Sequence, residues 1–192
     1  GQGLIESTTV KAKRQSDNLL IRGGRIIDPS QGVDSFGDLF ISEGKIAMLS
    51  TQKAGPLPEN YRIIRAQCMV VCPGFIDLHC HLRQPGYEGK ETIATGTRAA
   101  AKGGFTTVCC MPNTKPAVDK AEVVEYIKNV AAREGVVRVL PIGCITEGRK
   151  GEKLADFGEL FASGAVAFSD DGSPVADSSL MRYALEYSHE SG

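Results

Sequence analysis

The segment FIDLHCHLRQPG, residues 75–86, is the most informative about the fold, because it joins a short apolar strand to a cluster of polar side chains at the strand's end. His79 and His81 are separated by one residue. Side chains alternate along a strand, so both imidazoles are expected on the same face. Two neutral imidazoles that converge on one point are a natural metal-binding pair, although hydrogen-bonded core histidines are the other interpretation of this pattern.

Downstream of this segment, short apolar runs alternate with helix-period segments. The runs are FIDLH, TTVCCM, VVRVLPI and AVAFS, and the helices are predicted over 90–102, 119–133, 154–163 and 178–189. Successive runs start roughly 30 residues apart, the size of a β-α unit. Apolar strands that are each followed by a helix indicate a parallel sheet and an α/β fold. A doubly wound sheet would normally show a glycine-rich phosphate turn after its first strand, so the histidines there favour the first half of a (β/α)8 barrel of the TIM type.

The second predicted helix has a clear start and a clear apolar face. Asp119 is expected to cap it while Glu122 reaches back. The apolar face consists of Val123, Val124, Ile127, Val130 and Ala131. This spacing is typical of a helix packed against a sheet.

Upstream of the barrel segment the pattern of polar and apolar residues is different. Residues 1–17 are polar and predict a tail, and residues 18–70 contain the short strands NLLIRGG, RIIDPS, DLFISEG and KIAMLS. The pairs Gly23-Gly24, Pro29-Ser30 and Glu43-Gly44 are expected to form turns. The sequence therefore predicts part of a small β domain over 18–70, followed by a partial barrel over 71–192.

Composition excludes several classes of function. The net charge of −1 gives no hint of nucleic acid or of an anionic membrane surface as a partner, since both usually call for a basic patch. No apolar run reaches the ~18 residues of a membrane span. The six cysteines form no CxxC pair, which favours a reduced, cytoplasmic compartment over a disulfide scaffold.

Three further candidates lie where predicted strands end. Arg83 could grip a carboxylate, Asn113 in MPNT could bind an amide or a carboxylate, and the pair Asp170-Asp171 could bridge two cations. A surface arginine, a turn asparagine and an Asp-Asp-Gly turn are the alternative interpretations. His189 is expected to face solvent late in the last helix, and we do not count it as a ligand.

Four segments in the same order, DLHCHLRQPG (77–86), KETIATGT (90–97), GGFTTVCCMPNT (103–114) and AFSDDG (167–172), resemble the dihydroorotases of the amidohydrolase superfamily. The resemblance runs from about Leu19 to the last residue. Strand four has no lysine, which resembles the class I bacterial form rather than relatives that use a carboxylated lysine. Cys80 stands where an aliphatic residue is usual.

This resemblance implies two zinc ions, with His79 and His81 as ligands and Asp171 as the bridging carboxylate. Asp171 is preferred to Asp170 by spacing in similar proteins, and geometry alone leaves the two open. The substrate would be held by His81, Arg83 and Asn113. The implied reaction is the reversible hydrolysis of dihydroorotate to N-carbamoyl-aspartate in pyrimidine biosynthesis.

Similar enzymes take two more histidines and a proton-transfer aspartate from later strands. That aspartate is expected beyond Gly192, so we expect these 192 residues alone to be inactive and to bind zinc poorly. The alternatives are a non-catalytic dihydroorotase-like scaffold subunit of aspartate transcarbamoylase, a related hydantoinase or allantoinase, and an α/β domain with chance motifs. A homodimer or an aspartate transcarbamoylase partner are both left open.

Overall fold

The computed structural model describes residues 18–50 and 60–190, so the predicted tail lies outside the described residues. Contacts divide the chain after Pro73 into two compact units. Among the described residues, no helix has the length and apolar character needed to cross a membrane.

The first unit contains a five-stranded mixed sheet built around one central strand. Its strands are β1 (Leu19–Asp28), β2 (Val33–Ser42), β3 (Lys45–Ser50), β4 (Arg62–Arg65) and β5 (Val70–Val71). The order is β3-β2-β1-β4, and β5 pairs with β1 beyond β4. Strands β2 and β1 are antiparallel, whereas β4 and β5 run parallel to β1.

One of the three predicted turns in this unit is wrong. Gly23 and Gly24 do not reverse the chain; β1 continues through them with a register shift against β2. Gly23 N–H donates to Asp38 Oδ1 (2.8 Å), and a Cβ on Gly24 would come within 2.6 Å of the Val71 side chain. The glycine pair therefore forms a bulge that lets β5 approach. The other two turns are confirmed: a short 3-10 helix, Pro29–Gln31, and the Glu43-Gly44 reversal connect the strands.

The second unit alternates strands and helices, as predicted. The strands are β6 (Phe75–Cys80), β7 (Phe105–Cys110) and β8 (Arg138–Pro141), and the helices are α1 (Ile93–Lys102), α2 (Ala121–Glu134), α3 (Phe157–Ser163) and α4 (Ser178–Glu190). The strands form a parallel sheet in the order β6-β7-β8. Because the strands are parallel and adjacent, the loops after β6, β7 and β8 meet at one edge.

The fourth apolar run, AVAFS, does not form a regular strand. It makes one isolated parallel bridge, Gly143 to Phe168. Val166 N–H donates to the Pro141 carbonyl (3.0 Å), and Ser169 N–H donates to the Gly143 carbonyl (2.9 Å). The run thus lies alongside the end of β8. It brings Asp170 and Asp171 to the same edge as the other loops.

The core of this unit lies between the sheet and the helices. The predicted apolar face of α2 is confirmed, since Val123, Val124, Ile127 and Val130 are all buried. The predicted cap is wrong: Lys120 occupies the N-cap position and makes no side-chain cap bond. Asp119 instead accepts from Gly148 N–H (2.7 Å), because the loop after β8 presents that donor to it.

Candidate metal centre

The two histidines lie at the end of β6, on the same side of the strand. Their ring centroids are 5.3 Å apart, as alternation along an extended chain requires. Cys80, between them, packs against the core cluster on the opposite side. Burial, and then the charge of Asp77, raise the pKa of the Cys80 thiol to about 12. Because this thiol packs against the core, it does not converge with the imidazoles on a cation.

Asp171 reaches this pair from the loop after the fourth apolar run. His79 Nε2 lies 3.3 Å from Asp171 Oδ1, and His81 Nε2 lies 3.7 Å from Asp171 Oδ2. One ligand atom from each of the three side chains lies within 4.8 Å of the others. Each carboxylate oxygen faces a different imidazole, so two nitrogen donors and a carboxylate converge on one small volume. That donor set fits zinc.

The structure separates the two neighbouring aspartates that the sequence left open. Asp170 is only 3% exposed and points away from the histidines. Its carboxylate accepts from the N–H groups of Ile145 (2.8 Å) and Thr146 (3.1 Å) and from the Thr146 hydroxyl. Asp171, beside the imidazoles, is the carboxylate available to a metal ion.

The Asp171 loop is also held by an arginine from the loop after β8. Arg149 Nε donates to the Asp170 carbonyl (3.1 Å), and its Nη2 donates to the Asp171 carbonyl and to Ser173 Oγ (3.2 Å). Thr146 and Arg149 were not predicted from the sequence. A threonine and an arginine in a loop give no periodic signal, so only the folded contacts identify them.

Asn113, at the end of β7, connects two members of the site. Its Nδ2 donates to Asp171 Oδ2 (2.5 Å), and its Oδ1 lies 3.1 Å from His81 Nδ1. An ionised carboxylate can only accept, which fixes the amide orientation and makes His81 Nδ1 the donor. The lone pair of neutral His81 is then on Nε2, the nitrogen that faces Asp171.

Arg83 lies two residues beyond His81 in a left-handed backbone conformation, with φ of 59°. Within the part of the chain that the structure describes, its guanidinium makes no hydrogen bond or ion pair. The Arg83 loop and the Asn113 loop are joined, because Lys115 N–H donates to the Pro85 carbonyl (3.0 Å). Gly86 has φ of 93°, and a Cβ there would come within 2.1 Å of the Lys115 carbonyl oxygen. This close approach requires glycine.

His189, the remaining histidine, is exposed on α4, as predicted. The structure therefore brings His79, His81, Asn113 and Asp171 together, whereas Arg83 makes no described hydrogen bond or ion pair with them. A parallel sheet with polar donors at its strand ends is the arrangement of a β/α barrel protein with a ligand site at the carboxyl edge.

Comparison with known proteins gives the family. A family model described as dihydro-orotase-like matches residues 68–190, so the chain belongs to the dihydro-orotase-like family. A dihydroorotase of Citrifermentans bemidjiense is 56% identical over 170 residues, which cover 88% of this chain and 40% of the relative. One of Geobacter sulfurreducens is 53% identical over 175 residues, covering 91% and 41%. The chain thus spans about two fifths of the length of these relatives.

The comparison with solved structures confirms the fold class. An L-hydantoinase (dihydropyrimidinase) from Arthrobacter aurescens is similar with a TM-score of 0.76 at 20% identity, covering 92% of this chain and 39% of that one. A D-hydantoinase is similar with a TM-score of 0.71 at 24% identity. The second unit is therefore part of a β/α barrel, preceded by part of a small β domain.

Proposed function

We propose that this chain provides the first ligands of a zinc centre in a dihydroorotase, an enzyme that reversibly hydrolyses dihydroorotate to N-carbamoyl-aspartate in pyrimidine biosynthesis. The observation that supports it best is the convergence of His79, His81 and Asp171 within 4.8 Å. The relatives at 53–56% identity, which are named dihydroorotase, support the choice of reaction. Because the chain spans 40% of such a relative, the activity is proposed for the protein as a whole.

Zinc suits the donors, and each has a role. His79 and His81 would each offer one Nε2 lone pair, and Asp171 would offer one oxygen on each side. When bound, zinc would supply Lewis acidity towards the ring carbonyl and would lower the pKa of water towards neutrality. Asn113 keeps His81 in the tautomer that leaves Nε2 free.

Arg83 would bind the substrate carboxylate. Its charge does not change at physiological pH, and its guanidinium has no competing acidic partner among the described residues. The left-handed backbone at Arg83 supports this role, since such strain often accompanies ligand-binding positions. His81, two residues before Arg83, and Asn113, in the loop joined to the Arg83 loop, are proposed to contact the same substrate.

Two other functions are less well supported. A non-catalytic scaffold would be expected to lose ligand residues, whereas His79, His81 and Asp171 are all present and close together. A hydantoinase or allantoinase would resemble this chain in fold, but the hydantoinase similarities at 20–24% identity show the fold alone.

A cytoplasmic location is also proposed. It is supported by the six cysteines, which are all free thiols, including exposed Cys68 and Cys72.

Zinc binding by the chain tests the metal centre. The chain has three histidines, so their imidazole NMR signals can be resolved and titrated with zinc up to millimolar concentration. We expect the signals of His79 and His81 to shift together, while exposed His189 serves as an internal control. The variant Asp171→Asn is expected to abolish the paired response. A response equal at all three histidines would contradict the proposed site.

A chimera tests the reaction. In the dihydroorotase of Citrifermentans bemidjiense, the aligned 170-residue segment would be replaced by the matching residues of this chain. We expect the purified chimera to produce N-carbamoyl-aspartate from dihydroorotate, and its His79→Ala form to lose that activity. The 192-residue chain alone is the negative control and is expected to be inactive. A folded chimera that binds zinc without turnover would favour the scaffold function.

A further inference from the structure

Asp170 is a buried ionisable group that the proposed function does not use. It is adjacent to Asp171, and its carboxylate is satisfied by two backbone N–H groups and one hydroxyl of residues 145–146. A buried carboxylate is stable only when donors replace its lost hydration. These three donors therefore fix the position of Asp170, and with it the start of the Asp171 main chain.

Thr146 extends this attachment into the loop after β8. It is fully buried; its hydroxyl donates to Asp170 and accepts from Gly151 N–H (2.9 Å). The Thr146 hydroxyl thus uses both its donor and its acceptor capacity inside the protein. Its removal leaves Asp170 and Gly151 each without one partner.

Arg149 holds the other side of Asp171. Its guanidinium donates to the carbonyl groups of Asp170 and Asp171 and to Ser173 Oγ. To reach them, Arg149 adopts a left-handed conformation with φ of 59°, directly after Gly148 with φ of 58°. An arginine adopts this unfavourable conformation only where surrounding contacts compensate for it.

We propose that Thr146, Arg149 and Asp170 form a carboxylate clamp, a set of positioning residues that hold the Asp171 side chain against His79 and His81. The proposal rests on the metal centre proposed above. Asp171 is attached at its own carbonyl by Arg149 and at the preceding residue by the Asp170 side chain. With its backbone fixed on both sides, its carboxylate faces the two Nε2 atoms before any cation arrives.

Preorganisation of this kind determines affinity. A metal site binds more tightly when its ligands do not have to be ordered on binding, and loss of one supporting residue typically lowers metal affinity about 10–100-fold. The clamp therefore predicts a loss of zinc affinity from residues that cannot themselves bind zinc. A loop that served stability alone would lower the melting temperature without this effect.

The experiment uses the chimera described above and measures its zinc affinity, by competition with a chromogenic chelator, together with its melting temperature. The test variants are Arg149→Met and Thr146→Val, and Thr146→Ser is the conservative variant that keeps the hydroxyl. Lys153→Met is the matched control, because Lys153 is a cation of the same loop whose Nζ, among the described residues, bonds only Glu147 (2.6 Å). Asp171→Asn is the benchmark for loss of the ligand itself.

We expect Arg149→Met and Thr146→Val to weaken zinc binding about 10–100-fold. Thr146→Ser should restore most of the affinity, and Lys153→Met should stay within about twofold. In the chimera loaded with cobalt, Arg149→Met should also change the visible absorption bands, which report ligand geometry, while Lys153→Met should not. If Arg149→Met does not fold, Arg149→Lys replaces it and should still weaken binding severalfold.

The benchmark separates the two possible failures. If Asp171→Asn abolishes or strongly weakens zinc binding while Arg149→Met and Thr146→Val match the unsubstituted chimera, the clamp is overturned and the metal centre stands. Unchanged affinity in Arg149→Lys has the same meaning. If the unsubstituted chimera folds but binds no zinc, the proposed function itself fails.

Discussion

Two arginines at the edge of the same sheet differ in what their side chains do. Arg83 follows β6 and Arg149 follows β8, and both have φ of 59°. The guanidinium of Arg149 makes three hydrogen bonds to the Asp170–Ser173 loop. That of Arg83 makes none with the described residues. The two arginines thus share an unfavourable backbone conformation but differ in their side chains. Arg149 is bonded within the protein, whereas the guanidinium of Arg83 is available to a ligand.

This difference distinguishes two uses of backbone strain. At Arg149 the strain is offset locally by hydrogen bonds that stabilise the loop bearing Asp171. At Arg83 no such compensation is present in the side chain, so the surrounding loop must hold the conformation. The joined Arg83 and Asn113 loops do this through the Pro85–Lys115 hydrogen bond and the close approach at Gly86. A side chain held without a partner suits a position reserved for a ligand.

The greatest loss of stability is expected at Asp170, the buried carboxylate in the loop that Arg149 also binds. Asp170→Ala should lower the free energy of unfolding by about 3 kcal/mol or more, because three buried donors lose their acceptor. Urea denaturation followed by circular dichroism measures this. Asp170→Asn should recover much of the stability, since its amide oxygen can still accept from Ile145 and Thr146 N–H.

Asp156→Ala is the matched control for that change. Asp156 is an exposed carboxylate that caps α3 by accepting from Glu159 N–H (2.9 Å). Its loss should cost only about 1 kcal/mol. Equal effects of the two alanine variants would mean that the buried carboxylate does not support its loop.

The two arginines can be compared directly by removing each guanidinium. Arg149→Met should lower the free energy of unfolding by about 2 kcal/mol, because two carbonyl groups and a serine hydroxyl lose a charged donor. Arg83→Met should change it by less than about 0.5 kcal/mol, since no partner is lost. Thermal and urea denaturation of both variants checks the contrast. A comparable loss at Arg83 would show that its guanidinium has a structural partner.

Much of the fold could be predicted from the sequence because the relevant signals are periodic. Alternation placed His79 and His81 on one face, and the 3.6-residue period identified the buried face of α2. The prediction of a turn at Gly23-Gly24 is wrong, because a glycine pair is typical of both turns and bulges. The prediction of Asp119 as the N-cap of α2 is wrong, because Asp119 accepts from Gly148, a partner 29 residues away.

The site could be predicted only in part, and the reason is again distance along the chain. Residues that offer a metal ligand have a recognisable chemistry, so His79, His81 and the Asp170-Asp171 pair could be selected. The choice between the two aspartates depends on donors at residues 145 and 146, which no local pattern reveals. Thr146 and Arg149 are ordinary loop residues in the sequence. Their role follows from contacts made after folding.

A buried thiol close to the Arg149 loop makes the stability of the protein depend on pH. Cys144 is buried, and burial, followed by the charges of Asp170 and Asp119, raises the pKa of its thiol above the usual value of 9.0. The folded protein keeps this proton at pH values where the unfolded chain loses it. The stability that Cys144 contributes is therefore complete below pH 9 and is lost as pH rises above it.

Urea denaturation between pH 8 and 10.5 measures this loss in the parent chain and in Cys144→Ala. Above pH 9 the ratio of their unfolding equilibrium constants should change about tenfold per pH unit, with the parent losing stability faster. Other groups that ionise in this range contribute equally to both proteins and cancel. Parallel pH profiles would mean that the thiol is not held protonated by the fold.

The smallest change in the free energy of unfolding is expected from the backbone strain at Arg83, which two variants measure separately from the guanidinium. Arg83→Gly and Arg83→Ala both remove the guanidinium, but only glycine adopts φ of 59° without a steric penalty. The glycine variant should therefore be more stable than the alanine variant, by about 1 kcal/mol less the entropy that glycine adds to the unfolded chain. Paired urea denaturation measures the difference, and the chimera bearing either variant should lose affinity for dihydroorotate equally. A glycine variant no more stable than the alanine variant would mean that the left-handed conformation costs no more than the entropy that glycine adds to the unfolded chain.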